Sequence, residues 1–243
     1  MVGCIERLAE PLLVEKYDIV VGDIQTVDES NHFIPNLLAL KGRGKVCGLD
    51  VLQKYLTNAF PATVWNKLYN KKIIKDYHLM FKEKLIHEDL IWGFQFICFS
   101  KSIYLCDCVT YVCKGRSGSQ TKTTNMKISA YSYAENVWEM GNFVRKENME
   151  YNEYIHEIIQ KFFSETIQKC IWNPKVFIYC YRYMRPSIKL SMKELIKVNR
   201  NHVRRYFRDS YFLLPSFIAP YYEYLLFTTF HGMKSIIRQM MHK

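Results

Sequence analysis

Glycine and proline are scarce in this sequence, 10 and 7 of 243 residues. That scarcity excludes collagen-like and linker-like chains, and 49% apolar with 15% aromatic residues excludes a disordered one. No internal repeat and no low-complexity tract is present. No stretch joins a basic patch, an apolar run and a small-residue cleavage site, so nothing reads as a secretory leader. The most apolar window, 211–230, is broken by Pro215, Pro220 and Glu223. A lone spanning helix tolerates such breaks poorly, which favours a surface-lying or core segment there. What remains is a packed, mostly helical mixed chain, long enough for one large domain or two small ones.

Basic residues outnumber acidic ones 34 to 23, a net charge of +11. The excess is uneven: residues 1–124 hold 16 and 13 (+3), residues 125–243 hold 18 and 10 (+8). An anionic partner is implied, either nucleic acid, a membrane surface or a phosphate-bearing substrate. The eight cysteines are scattered, which points to a reducing, cytosolic compartment. Cys106, Cys108 and Cys113 lie in the β-branched, aromatic run SIYLCDCVTYVC, and no fourth metal ligand accompanies them. They read as strand thiols.

The spacing predicts a short helix in GCIERLAEPLLVE and a strand in YDIVVGDIQTV (17–27), a βα-type alternation. An irregular stretch follows, with NLL and KGRGK, then a helix in GLDVLQKYL. A further helix is expected from about Glu88 to Phe99, before the cysteine-bearing strand that ends near Cys113. Beyond the turn-rich KGRSGSQTKTT, helix follows helix; Tyr154, Ile155, Ile158, Ile159, Phe162 and Phe163 recur at threes and fours, one buried face. The expected boundary is near Thr124, an α/β part before it and a helical part after it.

Three groups of residues can carry chemistry. His87-Glu88-Asp89 precedes an apolar helical run, so two carboxylates stand at a helix start, where the dipole favours the ionised form. They serve either as first-turn caps or, at a pocket edge, as a general base for a hydroxyl. Lys114, Arg116, Gly118 and Ser119 set two cations beside a flexible turn, either diphosphate-binding or merely solvated. Trp65-Asn66-Lys67 joins an aromatic platform to an amide and an ammonium, which suits a sugar hydroxyl and a phosphate; the plainer alternative is a core Trp beside a surface Lys.

In this order, the pieces YDIVVGDI, NLL with KG, GLDVLQKYL, ATVWNKLYNKKIIK, FKEKLIHED and TYVCKGRSGSQT resemble the C-terminal two-thirds of a family-2 nucleotide-sugar glycosyltransferase. The resemblance is to members with the GT-A fold that build bacterial capsular or surface polysaccharides, and it spans about residues 17–121. It implies a partial Rossmann-like mixed sheet followed by a helical region. By motif position it implies that Asp89 is the catalytic base, with Trp65, Asn66, Lys67, His87 and Glu88 at the acceptor and Lys114, Arg116, Gly118 and Ser119 on the donor diphosphate. Transfer from a nucleotide-sugar to a hydroxyl of a lipid-linked saccharide acceptor is the implied reaction. Members of this family hold a divalent metal, Mn or Mg, with an Asp-x-Asp motif that should precede Tyr17. Asp18 and Asp23 do not form that motif, so the expectation is a chain lacking the donor-binding half and its metal ligands. The competing expectation is a non-catalytic relative that binds a membrane or partner.

Lys189, Lys193, Lys197, Arg200, Arg204 and Arg208 follow at spacings of 4, 4, 3, 4 and 4, one stripe on a helix. Met192, Leu195, Ile196, Val203, Tyr206 and Phe207 form an adjoining face. With the aromatic segment after it, this is either the pattern of a helix lying in an anionic membrane interface at the inner face of a cytoplasmic membrane, or a solvated basic face. No nucleic-acid-binding motif accompanies the charge.

Overall fold

The computed structural model describes residues 3–34, 39–115, 125–198, 215, 217–222, 224–226 and 228–229, with the side chains of 196–198 left aside. It divides into two compact units, 1–124 and 125–243.

The first unit is built on one strand pair. β1 (Ile19–Val27) and β5 (Ser102–Lys114) run parallel, with Ile19 opposite Ile103 and Val27 opposite Lys114. Their apolar centres are fully buried at Val20, Val21, Ile103 and Leu105, as expected of strands covered on both faces. Three short antiparallel strands complete the sheet. β2 (Phe33–Ile34) and β4 (Lys67–Tyr69) pair with β1, and β3 (Gly44–Cys47) pairs with the first part of β5. The register slips around Gly22, between Val21 and Ile24. A β-carbon on Gly22 would lie 1.7 Å from Thr110 Oγ1, so only glycine lets the two strands meet there.

Helices flank the sheet. α1 (Cys4–Val14) buries Leu8 against Val20 and Cys106. α2 (Leu49–Leu56), α3 (Lys71–Asp76) and α4 (Glu88–Phe99) follow. α4 is apolar almost all round, burying Leu90, Ile91, Trp92, Phe94, Phe96 and Ile97, which makes it a core helix. Tyr77 stacks on Phe99 at 3.5 Å between ring centres, and Phe81 on Trp92 at 5.0 Å.

The second unit is helical: α5 (Met126–Lys146), α6 (Glu153–Cys170) and α7 (Pro174–Val198). Asn125 and Asn152 cap α5 and α6 through their side-chain oxygens, accepting from Lys127 and Tyr154 N–H. α5 and α7 come together at Gly141, where a β-carbon would lie 2.1 Å from Ser187 Oγ. Ser187 donates to the Trp138 carbonyl at 3.2 Å. Residues 219–222, 224–226 and 228–229 are helical, and Tyr224 packs edge-on against Phe177 of α7 at 5.2 Å. Among the described residues no helix is long and apolar enough to cross a membrane.

The strands at 19–27 and 102–114 and the helices at 4–14, 49–56, 88–99 and 153–170 coincide with those expected from the spacing. β2, β3 and β4 lie in stretches that carry no strand periodicity; at two to four residues each they are edge strands that exist through their pairing.

Candidate functional site

The first unit gathers Trp65, Asn66, Lys67, Tyr69 and Asp89 around the start of β4 and the first turn of α4. Asn66 has a left-handed backbone (φ 62) that turns the chain into β4. It is buried, and its side-chain amide donates to the Gly22 carbonyl. β4 then pairs with β1, Lys67 opposite Val21. The Lys67 ammonium donates to the Thr63 carbonyl and, at 3.2 Å, to Asn66 Oδ1. Before the turn, Trp65 lies against Tyr111 of β5, ring centres 4.3 Å apart. Tyr111 is 38% exposed, so the pair is open to solvent at one edge.

Asp89 stands in the first turn of α4, whose cap residue His87 is left-handed (φ 63) and gives no side-chain cap. Its carboxyl is raised above the ordinary range, first by burial and then by the neighbouring Glu88 carboxylate. Its own and Leu90 backbone N–H groups, and Lys67, act the other way. The carboxylate therefore both caps the helix and stays a stronger proton acceptor than an exposed one. Burial pulls the Lys67 ammonium down to about 7, and Asp89 opposes that shift. Burial, and then Asp89, push the Tyr69 hydroxyl up. Its ring is held edge-on by Trp92 (4.9 Å) and Phe96 (4.8 Å). The result is a half-buried acid beside a lysine poised between its two protonation states.

Of the residues expected to act together, Trp65, Asn66, Lys67, Glu88 and Asp89 converge, with His87 at the same helix start. Lys114 is at the end of β5 and donates to Asn31 Oδ1 at 2.9 Å. Arg116, Gly118 and Ser119 lie outside the described residues, as do Arg200, Arg204 and Arg208. Lys189 and Lys193 are exposed on α7, and Lys197 belongs to the last turn of that helix. Cys106 is buried, its thiol pushed up to about 12 by burial.

Two further features escape a reading of the sequence. Tyr111 joins Trp65 only through the β1–β5 pairing. Arg43 bridges Asp23 (2.8 Å) on β1 and Asp107 (2.6 Å) on β5, and Asp23 also accepts from Ile24 and Leu40 N–H. Asp18 is committed likewise, to Lys101 N–H (2.7 Å), Ser102 N–H and the Asn70 amide. Among the described residues no three His, Cys, Asp or Glu side chains group to hold a metal. With Asp18 and Asp23 so engaged, the described residues do not fit the divalent ion that the resemblance implies.

A parallel strand pair widened by short antiparallel strands, with a helical region after it, is a partial Rossmann-like arrangement shared with solved structures. The likeness is to solved structures of S. aureus TarS. TarS 1–349 in complex with UDP-GlcNAc matches with a TM-score of 0.56 and 13% identity, over 79% of this chain and 56% of that one. A second TarS 1–349 structure matches at 0.51 and 13%, over 79% and 54%. The chain thus spans about half the length of the TarS structures it matches. No family model and no curated protein matches it.

Proposed function

We propose that the first unit is the acceptor side of a sugar transferase, in which Asp89 is the base. The acceptor's hydroxyl gives its proton to an Asp89 carboxylate oxygen as the hydroxyl oxygen bonds to the donor's anomeric carbon. The bond from that carbon to the nucleotide diphosphate breaks, and the diphosphate leaves with the electron pair. Burial raises the basicity of Asp89, and the backbone N–H groups of α4 fix its direction. The Trp65–Tyr111 pair receives the apolar face of the acceptor sugar, Asn66 and Lys67 set the floor beneath it, and His87 and Glu88 border it.

Lys114, Arg116, Gly118 and Ser119 are assigned to the donor's diphosphate, where cations and turn N–H groups offset the charge that develops on the leaving group. TarS, whose solved complex holds UDP-GlcNAc, supports a nucleotide-sugar as donor. The acceptor is taken to be a lipid-linked saccharide of a surface polysaccharide.

One observation carries the reading: a half-buried carboxylate at a helix start lies beside a lysine held at about 7. The test uses the protein as its gene encodes it, with nucleotide-sugar donors and saccharide acceptors, reading released nucleotide diphosphate and glycosylated product. Asp89→Asn should lower turnover by roughly two to four orders of magnitude with an unchanged melting temperature. Turnover retained in Asp89→Asn sinks the base assignment. Folded wild-type protein that transfers no sugar from any donor points to a non-catalytic relative.

A further inference from the structure

The helix α7 carries Lys175, Arg182, Arg185, Lys189, Lys193 and Lys197 against the single carboxylate of Glu194. Lys175, Arg182, Lys189 and Lys193 follow at 7, 7 and 4, one stripe on a helix, and all four are exposed. At 1.5 Å per residue the stripe is about 27 Å long. It therefore begins well before Lys189, where a reading of the sequence starts it.

Two cavities lie along this stripe. One, of about 620 Å³, is lined by Arg182, Arg185, Pro186, Lys189 and Phe217. The other, of about 440 Å³, is lined by Lys175, Ile178, Tyr179, Arg182 and Tyr183. Arg182 belongs to both, so they form one shallow basic trough. The segment from 217 packs on the same helix through Tyr224 against Phe177, and Ala219 is fully buried. Its outer side is apolar: Phe217 is 65% exposed and Leu225 63%, with Ile218, Tyr221, Tyr222 and Leu226 also open. A basic trough thus runs beside an apolar ridge.

We propose that this face seats the second unit on an anionic lipid bilayer. Lipid phosphates occupy the trough at Arg182 and Lys189. The ridge of Phe217 and Leu225 enters the boundary between headgroups and acyl chains. The occupant follows from charge and from the ridge together. Four exposed cations in one stripe, Lys175, Arg182, Lys189 and Lys193, call for an anionic surface. A nucleic acid strand would use the cations and the tyrosines, but it gives no partner to open Ile218, Leu225 and Leu226. A bilayer matches both halves, aliphatic side chains to acyl chains and arginines and lysines to phosphates, with tyrosines at the headgroup level. The proposal is independent of sugar transfer.

Full-length protein is floated with vesicles of phosphatidylglycerol and phosphatidylcholine, and with phosphatidylcholine alone. Binding to the anionic vesicles alone, weakened by salt, is expected. Each cation near such a surface is worth about fivefold in partitioning, so Arg182→Gln, Lys189→Gln and Lys193→Gln together should lower it roughly a hundredfold. Phe217→Ser with Leu225→Ser should lower it by about tenfold per residue even on anionic vesicles. All five positions are exposed, so circular dichroism and melting should not change. A Phe217→Trp chain reports the ridge directly, its emission shifting to the blue on anionic vesicles. Equal binding to neutral vesicles, binding indifferent to both sets of substitutions, or no blue shift overturns the proposal. So does binding of single-stranded oligonucleotides with vesicles ignored, or a self-association that Leu225→Ser abolishes while vesicles are not bound.

Discussion

Gly22 and Asn66 hold each other across the sheet: the Gly22 N–H donates to the Asn66 carbonyl at 3.0 Å, and the Asn66 side-chain amide donates back to the Gly22 carbonyl. The contact falls where the β1–β5 register slips, and it fixes the turn that carries Trp65 on one side and Lys67 on the other. The irregular point of the sheet and the candidate site are thus one piece of structure.

Gly22→Ala should therefore be costly. Its β-carbon would meet Thr110 Oγ1 at 1.7 Å and Thr110 Cβ at 2.7 Å. The strands must part or the side chain must move, at about 2 kcal/mol or more by urea unfolding. Thr110→Ala removes the nearest atom and should recover part of that loss. Asn66→Gly tests the other half of the contact: it keeps the left-handed backbone and removes only the amide. It should cost about 1–3 kcal/mol, the penalty of a buried carbonyl left without its donor. Stability unchanged in both variants would mean that the strands repack freely here.

How much of this was legible in the sequence depends on which residues meet. Ile19–Val21, the α4 run from Leu90 and the α6 stripe of isoleucines and phenylalanines announce themselves, because their periodicity is local. β3 does not: Gly44 and Lys45 have no strand character of their own, and pairing with Tyr104 and Leu105 makes them a strand. The candidate site divides in the same way. His87-Glu88-Asp89 and Trp65-Asn66-Lys67 are contiguous and stand out as motifs. Tyr111 and Arg43 act across the parallel β1–β5 pair, and no spacing rule joins Tyr111 to Trp65 or Arg43 to Asp23 and Asp107. The helical half was legible as helices, but where its basic stripe begins depends on which cations of α7 face outward.

The charges around Asp89 predict opposite effects for its two charged neighbours. A carboxylic acid cannot accept the hydroxyl proton, so transfer should rise with pH as Asp89 ionises. Glu88 raises the Asp89 carboxyl and Lys67 lowers it. Burial holds the Lys67 ammonium down at about 7, and below that pH its charge favours the Asp89 carboxylate. Lys67→Met should therefore move the acidic limb of the pH–rate profile to higher pH, and Glu88→Gln should move it to lower pH. A carbon-detected NMR titration of the Asp89 carboxyl reads the same shifts without catalysis. A limb that moves the same way in both variants would remove Asp89 from the role of titrating base.

His156 predicts how stability depends on pH in the second unit. It is fully buried. Nε2–H donates to the Glu150 carbonyl at 2.7 Å, and Nδ1, 3.2 Å from Ser191 Oγ, is left to accept from that hydroxyl. That pairing suits the neutral ring, and burial holds its pKa below the usual 6.5; the Glu150 carbonyl, and the carboxylates of Glu194 and Glu150, oppose the shift without reversing it. The unfolded chain takes up a proton on His156 near 6.5, while the folded chain does so only at lower pH. Stability from this residue is therefore complete above about 7. It falls as pH drops below 6.5, by at most about 1.4 kcal/mol per pH unit until the folded ring itself protonates. Urea unfolding at pH 7.5, 6.5 and 5.5 measures the slope, and His156→Gln, which keeps a donor and an acceptor but cannot titrate, should flatten it. An unchanged slope in His156→Gln would assign the acid sensitivity to other groups.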